Sequence, residues 1–398
     1  MLSADVVVAG GGAAGLLLAS ALAPACSVLL LEQADDLPRN KYWLTSERAA
    51  RENPHLAHCV DRWYDDLDFV AYDGLTTTLA GRSCLWDTDK LVVHLAQEIV
   101  GCGARILTGH RLYSIASARG AIMVRANAHN IRARLLVDCM GFGSPIVGAK
   151  GVAQITGYYI LHGCEVGLRR EIRPIALDNV IINQRPTFFE AFPTAHGTAH
   201  VALILPSRQH APDRSLAAEL GFILRKSHYA EQFCQDDPSS ERSYFGIIPV
   251  GRLLRPALDR IVFFGEAGQT NPATSATGLT RMLYTYRDLA TAITACLRAD
   301  MLARKDLLRA MPLSMTRMNR RFQESIFEHL LSFASDDFRR LVQDLGAYPT
   351  DIVHDMIFAD FDFRVRRTLP LAVESLLRPR SILGPHLVRT ALRWCWRR

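Results

Sequence analysis

Asp5-Val-Val-Val-Ala9 is a short run rich in β-branched residues that leads without a break into Gly10-Gly-Gly12-Ala-Ala-Gly15. Such a run suits a buried parallel strand, and G-x-G-x-x-G directly after it turns the chain sharply into a helix. The first glycine permits the turn, the second lets the backbone approach a pyrophosphate, and the third lets the helix sit close to the strand. A helix beginning near Ala14 would aim its N-terminal amides and positive dipole end at the phosphates. Val28–Leu31 reads as the second strand, and Glu32 ends it 22 residues after Gly10, near the spacing of about 20 at which an acid takes up ribose hydroxyls. The expectation is a dinucleotide site using Gly10, Gly12, Ala14, Gly15 and Glu32. The alternative is a packed βαβ unit whose glycines serve close packing alone.

Val6–Leu31 is almost uncharged and long enough to suggest a membrane span or signal peptide. No basic segment precedes it, glycines interrupt it at 10, 11, 12 and 15, and Pro24 breaks its second half, so strand, turn, helix and strand remain the reading. The whole chain has 398 residues, 49% of them hydrophobic and 22% charged. This composition excludes a disordered chain, a collagen-like fibre and a multi-span membrane protein, and the length allows two to three domains of about 100–200 residues. Nine scattered cysteines without a C-x-x-C pair suggest neither a disulfide framework nor a zinc site. A reducing, cytoplasmic location is expected, and no metal.

Two later segments resemble known flavoprotein elements. Arg260–Phe264 is another apolar strand, followed by Gly265-Glu-Ala-Gly268, Asn271-Pro272, Gly278-Leu279 and a long helical pattern. This is similar to the second fingerprint of FAD-dependent oxidoreductases of the glutathione-reductase-like fold, where strand, Gly-Asp and helix embrace the ribityl chain and flavin. Glu266 stands where the Asp is usual, either to accept a ribityl hydroxyl or as a simple helix-entry acid. Leu135–Ser144 looks like the D-x-x-G element of the same flavoproteins, with Asp138 and Gly141 in its key places. Together the resemblances imply FAD rather than NAD, and add Asp138, Gly141, Gly265, Glu266, Asn271, Pro272 and Gly278 to the expected cofactor site.

The expected fold class is α/β: a glutathione-reductase-like, FAD-binding Rossmann domain, a β-rich substrate domain and a helical C-terminal region. The cofactor domain is discontinuous, spanning 1–143 and 258–298, with 1–43, 85–143 and 258–298 as its working parts. Asp87-Thr-Asp89 caps a helix over Leu91–Ile99, and strand-like runs follow at Arg105–Thr108, Leu112–Ile115, Ile122–Arg125 and Leu135–Cys139. The substrate domain, 144–257, shows short β runs at Ile155–Leu161, Asn179–Asn183, Thr187–Ala191 and Ala199–Leu205, with one helix near Ser215–Lys226. Residues 299–398 are helical with a basic tail, and their aromatic-rich apolar stripe reads either as core or as the wall of a lipophilic channel.

This order of features resembles the lycopene cyclase family, within the geranylgeranyl reductase and aromatic hydroxylase clan of flavoproteins. The matching pieces are Gly10–Gly15 with Glu32, Asp138–Gly143, Ile155–Val166, Thr187–Pro193, Asn271–Thr274 and the helical last third. One departure stands out. The family's proton donor belongs to a Phe-Leu-Glu-Glu-Thr-like strand, and the equivalent here, His200–Pro206, carries no carboxylate. The nearest acid is Glu190, which interrupts an aromatic strand. It is a candidate catalytic acid or base with a raised pKa, or else a strand-edge carboxylate in water or paired with Arg185. His196 and His200 are expected to flank a hairpin turn. These residues point to an FAD-dependent oxidoreductase or monooxygenase on a lipophilic small-molecule substrate, with NAD(P)H or another electron donor. The alternatives are a redox-neutral cyclase and a non-catalytic flavin or lipid carrier.

Arginine supplies 41 of the 46 basic residues, and Arg364–Arg398 holds nine of them against one acid, Glu374. No folded basic module with aromatic platforms suggests a nucleic-acid partner. From Pro385 onward, Leu387, Val388, Ala391, Leu392, Trp394 and Cys395 recur at helical spacing beside a stripe of Arg389, Arg393 and Arg397. Such a helix suits peripheral contact at the inner face of a membrane, or packing on the body of the protein.

Overall fold

The computed structural model describes residues 1–39, 41–127, 129–182, 185–234, 243–312, 317–358 and 381–395. The described strands are, in chain order, β1 (Leu2–Ala9), β2 (Val28–Leu31), β3 (Trp43–Ser46), β4 (Val60–Val70), β5 (Thr76–Trp86), β6 (Arg105–Leu107), β7 (Leu112–Ala118), β8 (Ala121–Ala126), β9 (His129–Asp138), β10 (Ala153–Gly167), β11 (Ile175–Ile182), β12 (Arg185–Pro193), β13 (Thr198–Ser207), β14 (Ser243–Leu253), β15 (Ala257–Leu258) and β16 (Ile261–Phe263).

The first sheet runs β15-β16-β9-β1-β2-β6, with the β7–β8 hairpin joined to β9. β16, β9, β1, β2 and β6 are mutually parallel. Their inward residues are almost wholly apolar because both faces are covered. Helix Ala13–Leu22 packs between helices Thr88–Gly101 and Gly278–Arg298 on one face, and the β7–β8 hairpin helps cover the other. Asp87 caps the helix it precedes by accepting the Lys90 amide at 3.0 Å.

The second sheet runs β14-β10-β13-β12-β11-β4-β5-β3. Residues 43–86 therefore belong to it, so the span 1–143 does not form a continuous part of the first layer, and the sheet is larger than 144–257 alone. Alternation splits its two faces. Phe189, Ala191, Val201 and Leu203 pack beneath helix Leu216–Lys226, whereas Phe188, Phe192, Tyr64 and Phe69 face a cluster completed by Phe322, Phe338, Val342 and Leu345 from the C-terminal helices. This second face forms the roof of a large cavity.

The tail differs from the interfacial expectation at its start. Leu387 is 5% exposed and sits in that same cluster. His386 is held by Ser325 Oγ and, at 3.2 Å, by His329 Nδ1. The first turn of helix Leu383–Cys395 is therefore packed on the body. The side chains of Ala391, Leu392, Trp394 and Cys395 lie outside the described residues.

Candidate functional site

Gly10 has φ +107°, and a Cβ there would run into the Cys139 carbonyl. A Cβ on Gly15 would strike the Gly10 carbonyl oxygen, so this glycine sets the close approach of helix to turn. Gly12 is different: it is the N-cap of helix Ala13–Leu22, lines the cavity, and a Cβ on it would have no neighbour within 4 Å. Among the described residues no side chain caps that helix, so its first amides are open to a ligand. Glu32 accepts the Gly11 amide at 2.7 Å and the Ala34 amide at 2.9 Å. The carboxylate thus pins the glycine turn while its remaining lone pairs stay at the cavity wall.

The cavity has a volume of about 990 Å³ and continues from this turn past the loop after β16. Glu266 lines it beside Gly141, whose φ of +68° and missing Cβ leave room for the Glu266 carboxylate. Burial pushes the Glu266 pKa up, and Lys41 and the Phe142 amide pull against it. Asn271 Nδ2 and Thr274 Oγ1 are buried without a hydrogen-bond partner among the described residues, and both residues line the cavity. Gly278 sits against the Asn271 side-chain oxygen. The loop is held from outside: Tyr159 donates to the Ala273 carbonyl at 2.8 Å and Ala273 N–H donates to Gln323 Oε1 at 2.8 Å.

These features fit a flavin-bearing dinucleotide. There is an uncapped helix start facing open space for a pyrophosphate, a carboxylate for a ribose, and orphaned polar atoms where a flavin ring would find partners. Gly10, Gly12, Ala14, Glu32, Gly141, Glu266, Asn271 and Gly278 all line the cavity. Gly15, Asp138, Gly265 and Pro272 are not among the residues that line it. Asp138 is fully buried, accepts the Met140 amide at 3.0 Å and the Ser144 hydroxyl, and burial raises its pKa to about 6. It shapes the 139–144 loop from within. Gly265 (φ +66°) clears the Ala14 side chain, and Pro272 is buried behind the loop.

Beyond the flavin loop the walls become apolar and aromatic, including Leu67, Phe69, Leu161, Phe188, Phe192, Ile204, Ile326, Leu345 and Met356. Glu190 faces this chamber from β12. It lies deep in the molecule, and burial alone pushes its pKa up to about 8, so it holds its proton at neutral pH. It is not a strand-edge carboxylate in bulk water, and the Arg185 side chain lies outside the described residues. Across the ladder Glu190 pairs with Ala202.

His196 does occupy the β12–β13 turn, 3.4 Å from Asp61, but His200 lies inside β13 and lines the cavity beside Tyr42. Sequence reasoning missed Tyr42, Tyr159 and Tyr244 as cavity residues. Their only signal was a tyrosine in an apolar run, which is equally a core signal.

The model of the lycopene cyclase protein family matches residues 5–354. No curated protein sequence matches the chain. Among solved structures, a geranylgeranyl bacteriochlorophyll reductase-like protein from Thermoplasma acidophilum is similar at 14% identity and TM-score 0.71, over 93% of this chain and 100% of that one. A variant of halogenase PltM in complex with FAD is similar at 13% identity and TM-score 0.67, over 98% and 94%. The anhydrotetracycline hydroxylase OxyS from Streptomyces rimosus is similar at 16% identity and TM-score 0.62, over 90% and 76%. At these identities the likeness establishes a shared fold, the mixed α/β flavoprotein architecture with a helical C-terminal region. With its family model matched over nearly its whole length, the chain belongs to the lycopene cyclase family.

Proposed function

We propose that the protein is an FAD-dependent oxidoreductase or monooxygenase that acts on a lipophilic small molecule of polyene, isoprenoid or polyketide-like kind in secondary metabolism, with Glu190 as its acid or base. The observation that carries this reading is the continuity of one cavity, from the glycine turn past Glu266 and Asn271 into an aromatic chamber that contains one protonated carboxyl. Bound there, FAD would supply the two-electron chemistry. Gly12 and the helix start would hold its pyrophosphate, Glu32 its ribose, and the loop 271–278 its ring. The apolar walls would exclude water and orient the substrate. Glu190, protonated at neutral pH, would deliver one proton. A reductant, NAD(P)H or another donor, is required to close the cycle.

One observation favours a second reading, a redox-neutral cyclase or isomerase. Glu190 faces the chamber directly opposite Ala202, which lies in the strand where the family resemblance implies a proton donor. A neutral carboxylic acid in an apolar chamber suits protonation of a double bond.

The test begins by extracting the chamber's occupant from purified protein and identifying it by mass. That compound is then added to anaerobic, photoreduced holoprotein. Flavin reoxidation in step with product supports the first reading, and many turnovers with the flavin still reduced support the second. Glu190→Gln is expected to lower turnover about 10²–10⁴-fold with flavin retained.

A further inference from the structure

The register of the second sheet places four residues in one row across neighbouring strands. Tyr244 on β14 pairs with Gly163 on β10, Gly163 pairs with Ala202 on β13, and Ala202 pairs with Glu190 on β12. Directly opposed residues project from the same face of a sheet, so all four belong to the cavity face. The two outer members carry acidic protons and the two inner members have almost no side chain. At strand spacings of about 4.8 Å, the outer Cα atoms stand roughly 14 Å apart. Gly163 lets that gap be narrowed, because the Tyr244 ring and hydroxyl lie where a Cβ on Gly163 would sit. The phenol therefore folds over Gly163, and Glu190, on the far side of Ala202 in the register, interacts electrostatically with the phenol.

Neither Glu190 nor Tyr244 hydrogen-bonds to any described residue, and both line the cavity. By contrast, the polar groups of the next row are already engaged: Glu165 accepts the Thr198 hydroxyl at 2.6 Å and lies 3.4 Å from the Tyr42 hydroxyl.

We propose that Tyr244 and Glu190 converge on one uncharged oxygen atom of the substrate, a carbonyl or a phenol, held over Ala202. The chemistry follows from the donors. Burial keeps both groups protonated at neutral pH, so each offers an O–H. Two neutral donors aimed at one oxygen stabilise charge as it develops there, and they do so most strongly in a water-poor site. Among the described residues, the Lys and Arg side chains of the cavity wall are elsewhere: Lys41 interacts with Glu266, and Arg111 follows His110, whose amide donates to the Glu32 carbonyl at 2.7 Å. A carboxylate or phosphate would find no counter-charge in this row. The proposal rests on reading the chamber as the active site and narrows its substrate class to oxygen-bearing lipophiles.

The probe is 2-naphthol, with naphthalene as its oxygen-free control, measured by equilibrium dialysis against the holoprotein near neutral pH. Wild type is expected to prefer naphthol by about tenfold or more, and Tyr244→Phe and Glu190→Leu are each expected to weaken naphthol by about tenfold while leaving naphthalene unchanged. Gly163→Ala displaces the Tyr244 ring, so it should act like Tyr244→Phe, and the double variant should lose little more than either single one. Equal naphthol binding by wild type, Tyr244→Phe and Glu190→Leu overturns the proposal, as does an equal loss of naphthol and naphthalene. Visible absorbance of the same samples reports flavin content. Wild-type protein without flavin overturns the function proposed above, whereas the naphthol comparison is scored on its own.

Discussion

Glu190 gives a stability prediction whose sign and size follow from its surroundings. The folded protein raises its pKa from an ordinary 4.5 to about 8 by burial. Below pH 4.5 the carboxyl is protonated in both folded and unfolded chains and contributes no pH dependence. Between 4.5 and 8 the unfolded chain releases the proton and the folded one keeps it, so stability falls with rising pH. At about 1.4 kcal/mol per pH unit, the ceiling at pH 7 is roughly 3 kcal/mol. The carboxyl faces a cavity rather than close-packed atoms, so screening reduces this to about 1–3 kcal/mol. Glu190→Gln keeps the shape and removes the titration. It should therefore be more stable than wild type by that amount at pH 7, and equal to it near pH 4. Urea unfolding of both proteins at a series of pH values is the assay. Parallel pH curves for the two proteins would refute the argument, because they would mean that Glu190 is as well solvated folded as unfolded.

Gly12→Val should fold normally but purify colourless, since the open space at Gly12 is where a pyrophosphate would sit, whereas Gly15→Ala should lower the thermal midpoint because its Cβ meets the Gly10 carbonyl; yellow Gly12→Val protein would overturn the first half. Leu387→Ala should cost about 2–4 kcal/mol, the usual range for a buried leucine, and an unchanged urea midpoint would remove the tail helix from the core. Glu in place of both Trp394 and Trp396 is expected to abolish sedimentation with anionic vesicles without lowering that midpoint; vesicle binding equal to wild type would leave the tail with a packing role alone. His386 is neutral in the folded protein because burial, His329 and Arg389 lower its pKa to about 4. The unfolded chain takes up that proton first, so stability is full above about pH 6.5 and is lost as pH falls toward 4. His386→Gln should flatten this acid limb, and an identical limb would locate the acid sensitivity elsewhere.

The parallel sheet was legible because burial on both faces leaves an apolar, β-branched record. β1, β2 and the strand before Gly265 read directly, and so did the glycines around them. The strands over 43–86 were not legible. β4 reads Val-Asp-Arg-Trp-Tyr-Asp-Asp-Leu-Asp-Phe-Val, and its charges, apart from the buried Asp68, sit on a half-exposed surface whose pattern resembles a loop. β14 contains Gly246, Pro249 and Gly251, residues that argue against a strand. It survives because it is the sheet's edge, where proline's missing donor costs no ladder bond on the open side. At the site, Glu190 could be singled out as an acid among aromatics, while the hydrogen bonds of Asp138 to its own loop were not legible, because a strand-end aspartate looks the same whether it meets a ligand or its own loop. Tyr244 was invisible because its role depends on register across four strands, which no local window contains.

That same register explains how an acidic motif can be absent from its expected strand and acid chemistry remain available. Side chains facing one cavity are related across a ladder as well as along a strand, and opposed Cβ atoms lie only about 4.5–5.5 Å apart. A carboxyl at 190 therefore starts only one strand spacing from the opposed position in β13, Ala202, which is within the reach of a glutamate side chain. The position also sets what surrounds the acid. At 190 it is flanked along β12 by Phe188 and Phe192, and Ala202 is left as a small-residue floor between it and Tyr244. An acid in that place gains a phenolic neighbour across the floor and a site for an oxygen atom. In the function proposed above, a carboxyl at 190 would thus work opposite a second donor, Tyr244, and not alone in its own strand.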